Sequence, residues 1–219
     1  MPTKTGLFNA AKHWDADTVA KVLSEAPRLI SATDPRGRNA LHVACAVKPR
    51  AAGTLEPNGI RTVDTLLAHG ADLHGHVPLE DGKFKATPVW YAVAHGDNLP
   101  LVRMLLKRGA RVDNCLYAVV WNDNADMLRE ILKTHPPIDA REASEPVIVS
   151  AVRWRKLRTL EVLMKAGADV SIPDRKGHDA IYHARAKKLP AALIARLETL
   201  RSSRRTLTRR PSAPSSTAE

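Results

Sequence analysis

Residues 87–113 read TPVWYAVAHGDNLPLVRMLLKRGARVD: two short apolar runs, parted by His95-Gly96-Asp97 and closed by Gly109-Ala110. Thr87 is a good helix N-cap, and Pro88 suits the first helical position because it has no N–H to leave unpaired there. The chain turns at Gly96, after which Asp97 or Asn98 is placed to cap a second helix with Pro100 in its first turn. Gly109 supplies the left-handed residue that ends this helix, while Lys107 and Arg108 face the negative end of its dipole. Neither helix is long enough to be stable alone. Leu101, Val102, Met104, Leu105 and Leu106 cover more than one face, so the pair has to be sandwiched between copies of itself.

The copies are present. Gly-Ala recurs at 70–71 and 167–168, each time after an apolar run. NALHVAC (39–45) and EPVIVSA (145–151) stand where TPVWYAV stands, and DPRGR (34–38) and DRKGH (174–178) are matching turns ahead of such helices. Together these residues resemble the ankyrin repeat, whose pattern is D-x-x-G-x-T-P-L-H-x-A, a Gly turn, then V-x-x-L-L-x-x-G-A. The resemblance implies an all-α ankyrin-repeat solenoid of stacked helix-turn-helix units with short β-hairpin-like fingers.

Its register gives a repeat domain over residues 1–200, with units at about 5–33, 34–73, 74–113, 114–139, 140–171 and 172–200. In the first, Gly-Ala is replaced by Ala26-Pro27, as a terminal cap tolerates. The second carries an insertion: His42 to Gly70 spans 28 positions, whereas Trp90 to Gly109 spans 19. The excess lies in AVKPRAAGTLEPNG (46–59), whose Pro and Gly content reads as a surface loop. The third unit has a long finger, HGHVPLEDGKFKA (74–86). The fourth has almost none, since Gly109 to Leu116 spans only 7 positions, and it closes with His135-Pro136-Pro137 instead of Gly-Ala. The fifth has Trp154 where the inter-helix Gly is expected, and the sixth places Ile181, Tyr182 and Ala184 on its first helix. Residues 201–219, RSSRRTLTRRPSAPSSTAE, have almost no apolar content and are expected to be disordered.

Composition narrows the function classes. The net charge is +11; the last 19 residues supply +4 of it, so the remaining 200 are basic in their own right. That favours acidic proteins or nucleic acid as partners. Two cysteines, Cys45 and Cys115, cannot make a disulfide framework, and the composition suits a reducing compartment. The N-terminus has no apolar core of a secretory signal, and no segment is apolar for long enough to span a membrane. A cytoplasmic location is expected.

No phosphate loop, G-x-G-x-x-G, H-E-x-x-H or C-x-x-C occurs. The nearest metal-like grouping, His69, Asp72, His74 and His76, has no third ligand at a motif-like spacing and reads as solvated histidines near a helix end. No metal and no cofactor are expected. Cys45, beside His42, occupies a small apolar helix position and reads as a buried structural thiol, as does Cys115. Trp90, at the His position of the motif, reads as packing over a neighbouring turn.

In ankyrin-like stacks, finger tips and the outer residues of first helices line a concave protein-binding surface. The resemblance carries this role to Arg36, Arg38, Lys83, Lys85, His95, Trp121, Asn122, Arg153, Trp154, Arg175, Lys176, His178 and Lys187. The set is basic and holds two tryptophans, and Trp and Arg dominate interface hot spots. For Trp121 and Trp154, packing over a turn and contact with a partner are both open readings. The run RWRKLR (153–158) is the densest basic stretch before the tail, and it suits an acidic protein or phosphates. The implied function is non-catalytic binding of a protein with an acidic surface, in an inhibitory or regulatory role, without membrane or small-molecule substrate. A nucleic-acid-associated basic adaptor and a small metal-dependent enzyme are the alternatives.

Overall fold

The computed structural model describes residues 1–49, 56–79, 84–142 and 145–208. Its elements fall into two blocks, residues 1–136 and the chain from 137 onward.

The N-terminal block holds four helix pairs: α1 (Lys4–His13) with α2 (Ala16–Glu25), α3 (Ala40–Cys45) with α4 (Glu56–Ala68), α5 (Pro88–Tyr91) with α6 (Leu99–Lys107), and α7 (Cys115–Trp121) with α8 (Ala125–Leu132). First helices pack on first helices and second on second, α1 on α3 on α5 on α7 and α2 on α4 on α6 on α8. This two-layer stack buries Leu41, Leu66, Leu101, Leu105, Leu116 and Leu128 completely. Each such side chain stabilises the stack by roughly 1.5–3 kcal/mol relative to exposure.

The caps follow the local chemistry. Thr87 Oγ1 accepts the Trp90 N–H at 3.3 Å, and Asn98 Oδ1 accepts that of Leu101 at 3.1 Å. Gly109 has φ +86°, which lets the Ala110 N–H reach back to the Leu105 carbonyl at 3.0 Å. Gly167-Ala168 repeats the device with Leu163 at 3.1 Å. That is the physical content of the recurring Gly-Ala: it satisfies carbonyls that the ending helix would leave unpaired.

Three expectations are corrected. The turn expected at Gly96 falls one residue later, at Asp97, and in each pair with a tight turn the left-handed residue is a non-glycine: Trp14, Asp97, Asp123, Arg155 and Lys188. Gly96 lies in a π-helical turn, Ala92–Gly96, where a Cβ would sit 2.6 Å from the Cys45 carbonyl oxygen. Close approach, not dihedral freedom, requires the glycine. Secondly, part of the proposed insertion loop is helical. Residues 50–55 lie outside the described residues, but α4 already starts at Glu56, and Gly59 in its first turns is pressed against the indole of Trp14. Thirdly, the last helix runs past residue 200, as described below.

The long finger is an antiparallel hairpin of β1 (Val77–Leu79) and β2 (Phe84–Ala86), in the register Val77 to Ala86 and Leu79 to Phe84. The C-terminal block opens with a shorter hairpin, β3 (Arg141–Glu142) and β4 (Glu145–Pro146). It continues as α9 (Val147–Arg153) with α10 (Leu157–Lys165), then α11 (Ala180–Ala186) with α12 (Ala191–Thr208), α9 packing on α11.

α12 therefore extends eight residues into the stretch expected to be disordered, and its arginines explain why. Arg204 reaches Asp169 at 2.6 Å, Asp139 at 3.5 Å and the Gly167 carbonyl at 2.8 Å, and Arg201 pairs with Asp179 at 3.3 Å. Residues 209–219 lie outside the described residues. Among the described residues, no helix is long and apolar enough to cross a membrane.

Candidate protein-binding surface

In the N-terminal block the candidate residues divide into exposed and committed groups. Arg36 is exposed at the turn that Asp34 organises by accepting the N–H groups of Arg36 and Arg38, both at 2.9 Å. The Arg38 guanidinium is itself held by Asp34 Oδ2 at 2.8 Å. Burial opposes ionisation of Asp34, but these N–H groups and the Arg38 pair outweigh it and hold the carboxyl below its ordinary range. Asn122 is committed too, its amide donating to the carbonyls of Val93 at 2.9 Å and Ala94 at 3.2 Å. It ties the end of α7 to the π turn.

His95 stacks on Tyr91 at 5.5 Å and meets Trp90 edge-on at 5.4 Å, and Trp90 in turn packs on Phe84 at 5.1 Å. Burial, helped by the nearby Arg38 charge, lowers the pKa of His95. His42 meets Tyr91 edge-on and is itself buried, with Nε2 3.0 Å from the Gly75 carbonyl. Trp90 thus packs over the finger, as its motif position implied. Trp121 is different: its ring lies along Tyr117 at 6.3 Å and remains 48% exposed.

Beside the long finger, His74, His76, Lys85, Thr87, Arg111, Asp113 and Asn114 line an open cleft of about 450 Å³. Lys83 lies outside the described residues. His69 is not in the cleft lining; its Nδ1 faces the Thr65 carbonyl at 2.8 Å. Cys45 and Cys115 are buried, and burial pushes the Cys45 thiol far above the range of a reactive thiol.

The C-terminal block carries the denser grouping. Arg153 forms an ion pair with Glu145, whose carboxylate is buried and also accepts the Ser150 hydroxyl at 2.7 Å. The same guanidinium sits 5.6 Å from the centre of the Trp154 ring, a cation–π contact. Trp154 keeps 46% of its surface exposed. Arg155, at the left-handed turn, points its guanidinium toward the Lys187 carbonyl at 3.5 Å, joining the ends of α9 and α11. Arg175, Lys176 and Lys187 are exposed.

Tyr182, on the first helix of the sixth unit, is 50% exposed, and His178 lies flat against it at 3.7 Å and 6°. Its place in the repeat is that of His42 and Trp90, of which His42 is buried, so the register did not signal the exposure of Tyr182.

Helix pairs stacked in two layers, closed by Gly turns and joined by hairpin fingers, define a helical-repeat scaffold. Residues 85–115 match the Ankyrin repeat family model, and the fold is that of ankyrin-repeat proteins. A solved ankyrin repeat protein is similar at 21% identity and a TM-score of 0.68, over 92% of this chain and 98% of that one. An ankyrin repeat domain from Acinetobacter baumannii is similar at 21% identity and 0.67, over 92% and 98%. A chain in the structure of a predatory endopeptidase from Bdellovibrio bacteriovorus in complex with an immunity protein is similar at 21% and 0.66, over 90% and 97%. No curated protein sequence matches the chain.

Proposed function

We propose that this protein is a non-catalytic recognition module of the cytoplasm, binding a partner protein that presents an acidic patch with an apolar pocket. The observation that carries the reading is the half-exposed Trp154 beneath the Arg153 guanidinium, with exposed Lys187 at the end of the next first helix. Half-exposed aromatics beside cations are the side chains that anchor interfaces, through large area combined with directed polar contact. Stacked helices hold them in place, so little ordering entropy is lost on binding. The net charge of +11 steers an acidic partner. The similar structure containing an endopeptidase with an immunity protein supports an inhibitory or regulatory role.

The pairings separate candidates engaged within the fold from those left at the surface. Arg38 and Asn122 serve the fold, whereas Arg36, Lys85, Trp121, Trp154, Arg175, Lys176 and Lys187 present surface. The test is affinity capture from the native cell with the wild-type chain and with Trp154→Ala/Lys187→Glu, followed by titration of the captured protein against each. Arg153 is left intact because it neutralises the buried Glu145. Loss of a hot-spot tryptophan costs about 2 kcal/mol, roughly thirtyfold in affinity. The proposal expects at least that loss, and weaker binding as salt screens the charges. A protein retained equally by both chains, or nuclease-sensitive nucleic acid as the captured material, overturns it.

A further inference from the structure

The turn ahead of α11 is built like the turn ahead of α3, and the difference between them is chemical. In both, an aspartate Oδ1 collects two backbone N–H groups: Asp34 those of Arg36 and Arg38, Asp174 those of Lys176 at 2.8 Å and His178 at 3.0 Å. In both, Oδ2 is left for a side-chain partner. At Asp34 that partner is the guanidinium of Arg38, which cannot ligate a metal. At Asp174 it is the imidazole of His183, Nε2 to Oδ2 at 2.9 Å. His178 stands at the position of Arg38, and His183 at that of Val43. Two histidines have therefore replaced an arginine and a valine around one fixed carboxylate.

We infer that Asp174, His178 and His183 form a binding site for a divalent transition-metal ion of the zinc class. One ligating atom from each residue lies within 4.8 Å of the others. The side chains of Asp174 and His183 are only 8% and 13% exposed, so two of the three ligands are held in place before any ion arrives. The third is restrained as well, because the His178 ring is stacked on Tyr182 and meets His183 edge-on at 5.8 Å.

Two imidazoles and a carboxylate are a donor set that zinc accepts, with a water or a partner's side chain in the fourth position. Metal–ligand bonds of 2.0–2.2 Å in a tetrahedron put ligand atoms about 3.4 Å apart. The Asp174–His183 pair has to open slightly, and His178 has to close by a side-chain rotation. The ion takes the place of the proton that lies between His183 Nε2 and Asp174. The backbone N–H groups on Oδ1 persist and act as the outer support that orients a metal-binding carboxylate.

The test is calorimetric titration of the full chain with zinc chloride, alongside the visible absorption of added cobalt(II). The wild type is compared with His178→Arg/His183→Val, which copies the arrangement of residues 38 and 43 into this turn, circular dichroism reporting its fold. The wild type is expected to take one saturable equivalent and to give the absorption of tetrahedral cobalt. Losing two ligands weakens binding by at least the roughly 10–100-fold that losing an outer-shell partner costs. The inference is overturned if the wild type takes up no saturable equivalent. It is equally overturned if the folded double variant binds with unchanged stoichiometry and affinity, which assigns the metal to other histidines. Should the double variant not fold, His178→Arg alone is read against the same two outcomes.

Discussion

Replacing Arg153 by methionine leaves the Glu145 carboxylate in place without its cation. The Glu145 side chain is only 9% exposed and keeps the Ser150 hydroxyl as a partner, whereas Arg153 is 37% exposed. Breaking a fully buried pair costs about 3–5 kcal/mol, and breaking an exposed one about 0–1 kcal/mol. With one partner buried and the other partly wet, Arg153→Met is expected to cost about 2 kcal/mol. For a chain of this size that lowers Tm by roughly 4–8 °C. Scanning calorimetry or urea unfolding reads the loss, and the second arm of the cycle gives it meaning. Arg153→Met/Glu145→Gln removes the stranded charge and keeps an acceptor for Ser150, so most of the stability returns. If the double variant is as unstable as Arg153→Met, the buried carboxylate is not the cause and the assignment of Arg153 to the fold is wrong. This matters for function, because Arg153 also roofs Trp154 and a binding defect at this position would otherwise be misread.

Other expectations follow from single contacts. His42 is buried, and burial lowers its pKa despite the Gly75 carbonyl. The unfolded chain then takes up the proton first, so this stability is full above the ordinary histidine value of about 6.5 and is lost as pH falls toward the folded value. His95, also lowered, acts in the same direction, and the urea midpoint should drop between pH 7.5 and 5 and drop less in His42→Asn. Gly96→Ala drives a methyl to 2.6 Å from the Cys45 carbonyl oxygen and is expected to cost about 1–3 kcal/mol in denaturant unfolding; an unchanged midpoint contradicts the close-approach account. Arg204→Ala removes the contacts to Asp139, Asp169 and the Gly167 carbonyl, so amide exchange should quicken in the last turns of α12 and stay unchanged in α9.

Much of the architecture is legible in the sequence because it is set by local chemistry. Thr87, Pro88, Asn98 and Gly109 announce their roles through capping and dihedral preferences, and the long finger follows from the spacing between Gly70 and Thr87. What escapes is set by partners distant in sequence. α12 passes residue 200 because Arg204 finds carboxylates 35 and 65 residues away, which composition does not record. Asn122 resembles a surface residue until the carbonyls of Val93 and Ala94 are placed beside it. The inter-helix turns put Asp97, Asp123 and Arg155 in a left-handed conformation that costs of order 1–3 kcal/mol, and tertiary packing imposes it without a glycine to mark the place.

The candidate surface was legible as a list of positions in the repeat but not as a division of labour. Arg38 and Arg153 share residue type and repeat logic with Arg36 and Arg175, yet they are engaged by Asp34 and Glu145. The exposure of Tyr182 escaped notice because helical periodicity puts it beside Ile181 in an apolar run and the repeat register aligns it with the buried His42; only the structure shows it half exposed with His178 stacked on it.

Recognition of a protein partner through this surface is tested most directly by photo-cross-linking in the native cell. A photoreactive amino acid is placed at Trp154, and separately at exposed Lys21 on α2 as a control. The account predicts one protein adduct from position 154 that is absent from position 21 and fades as salt is raised before irradiation. The same adducts from both positions, or an adduct from 154 that nuclease removes, would contradict it.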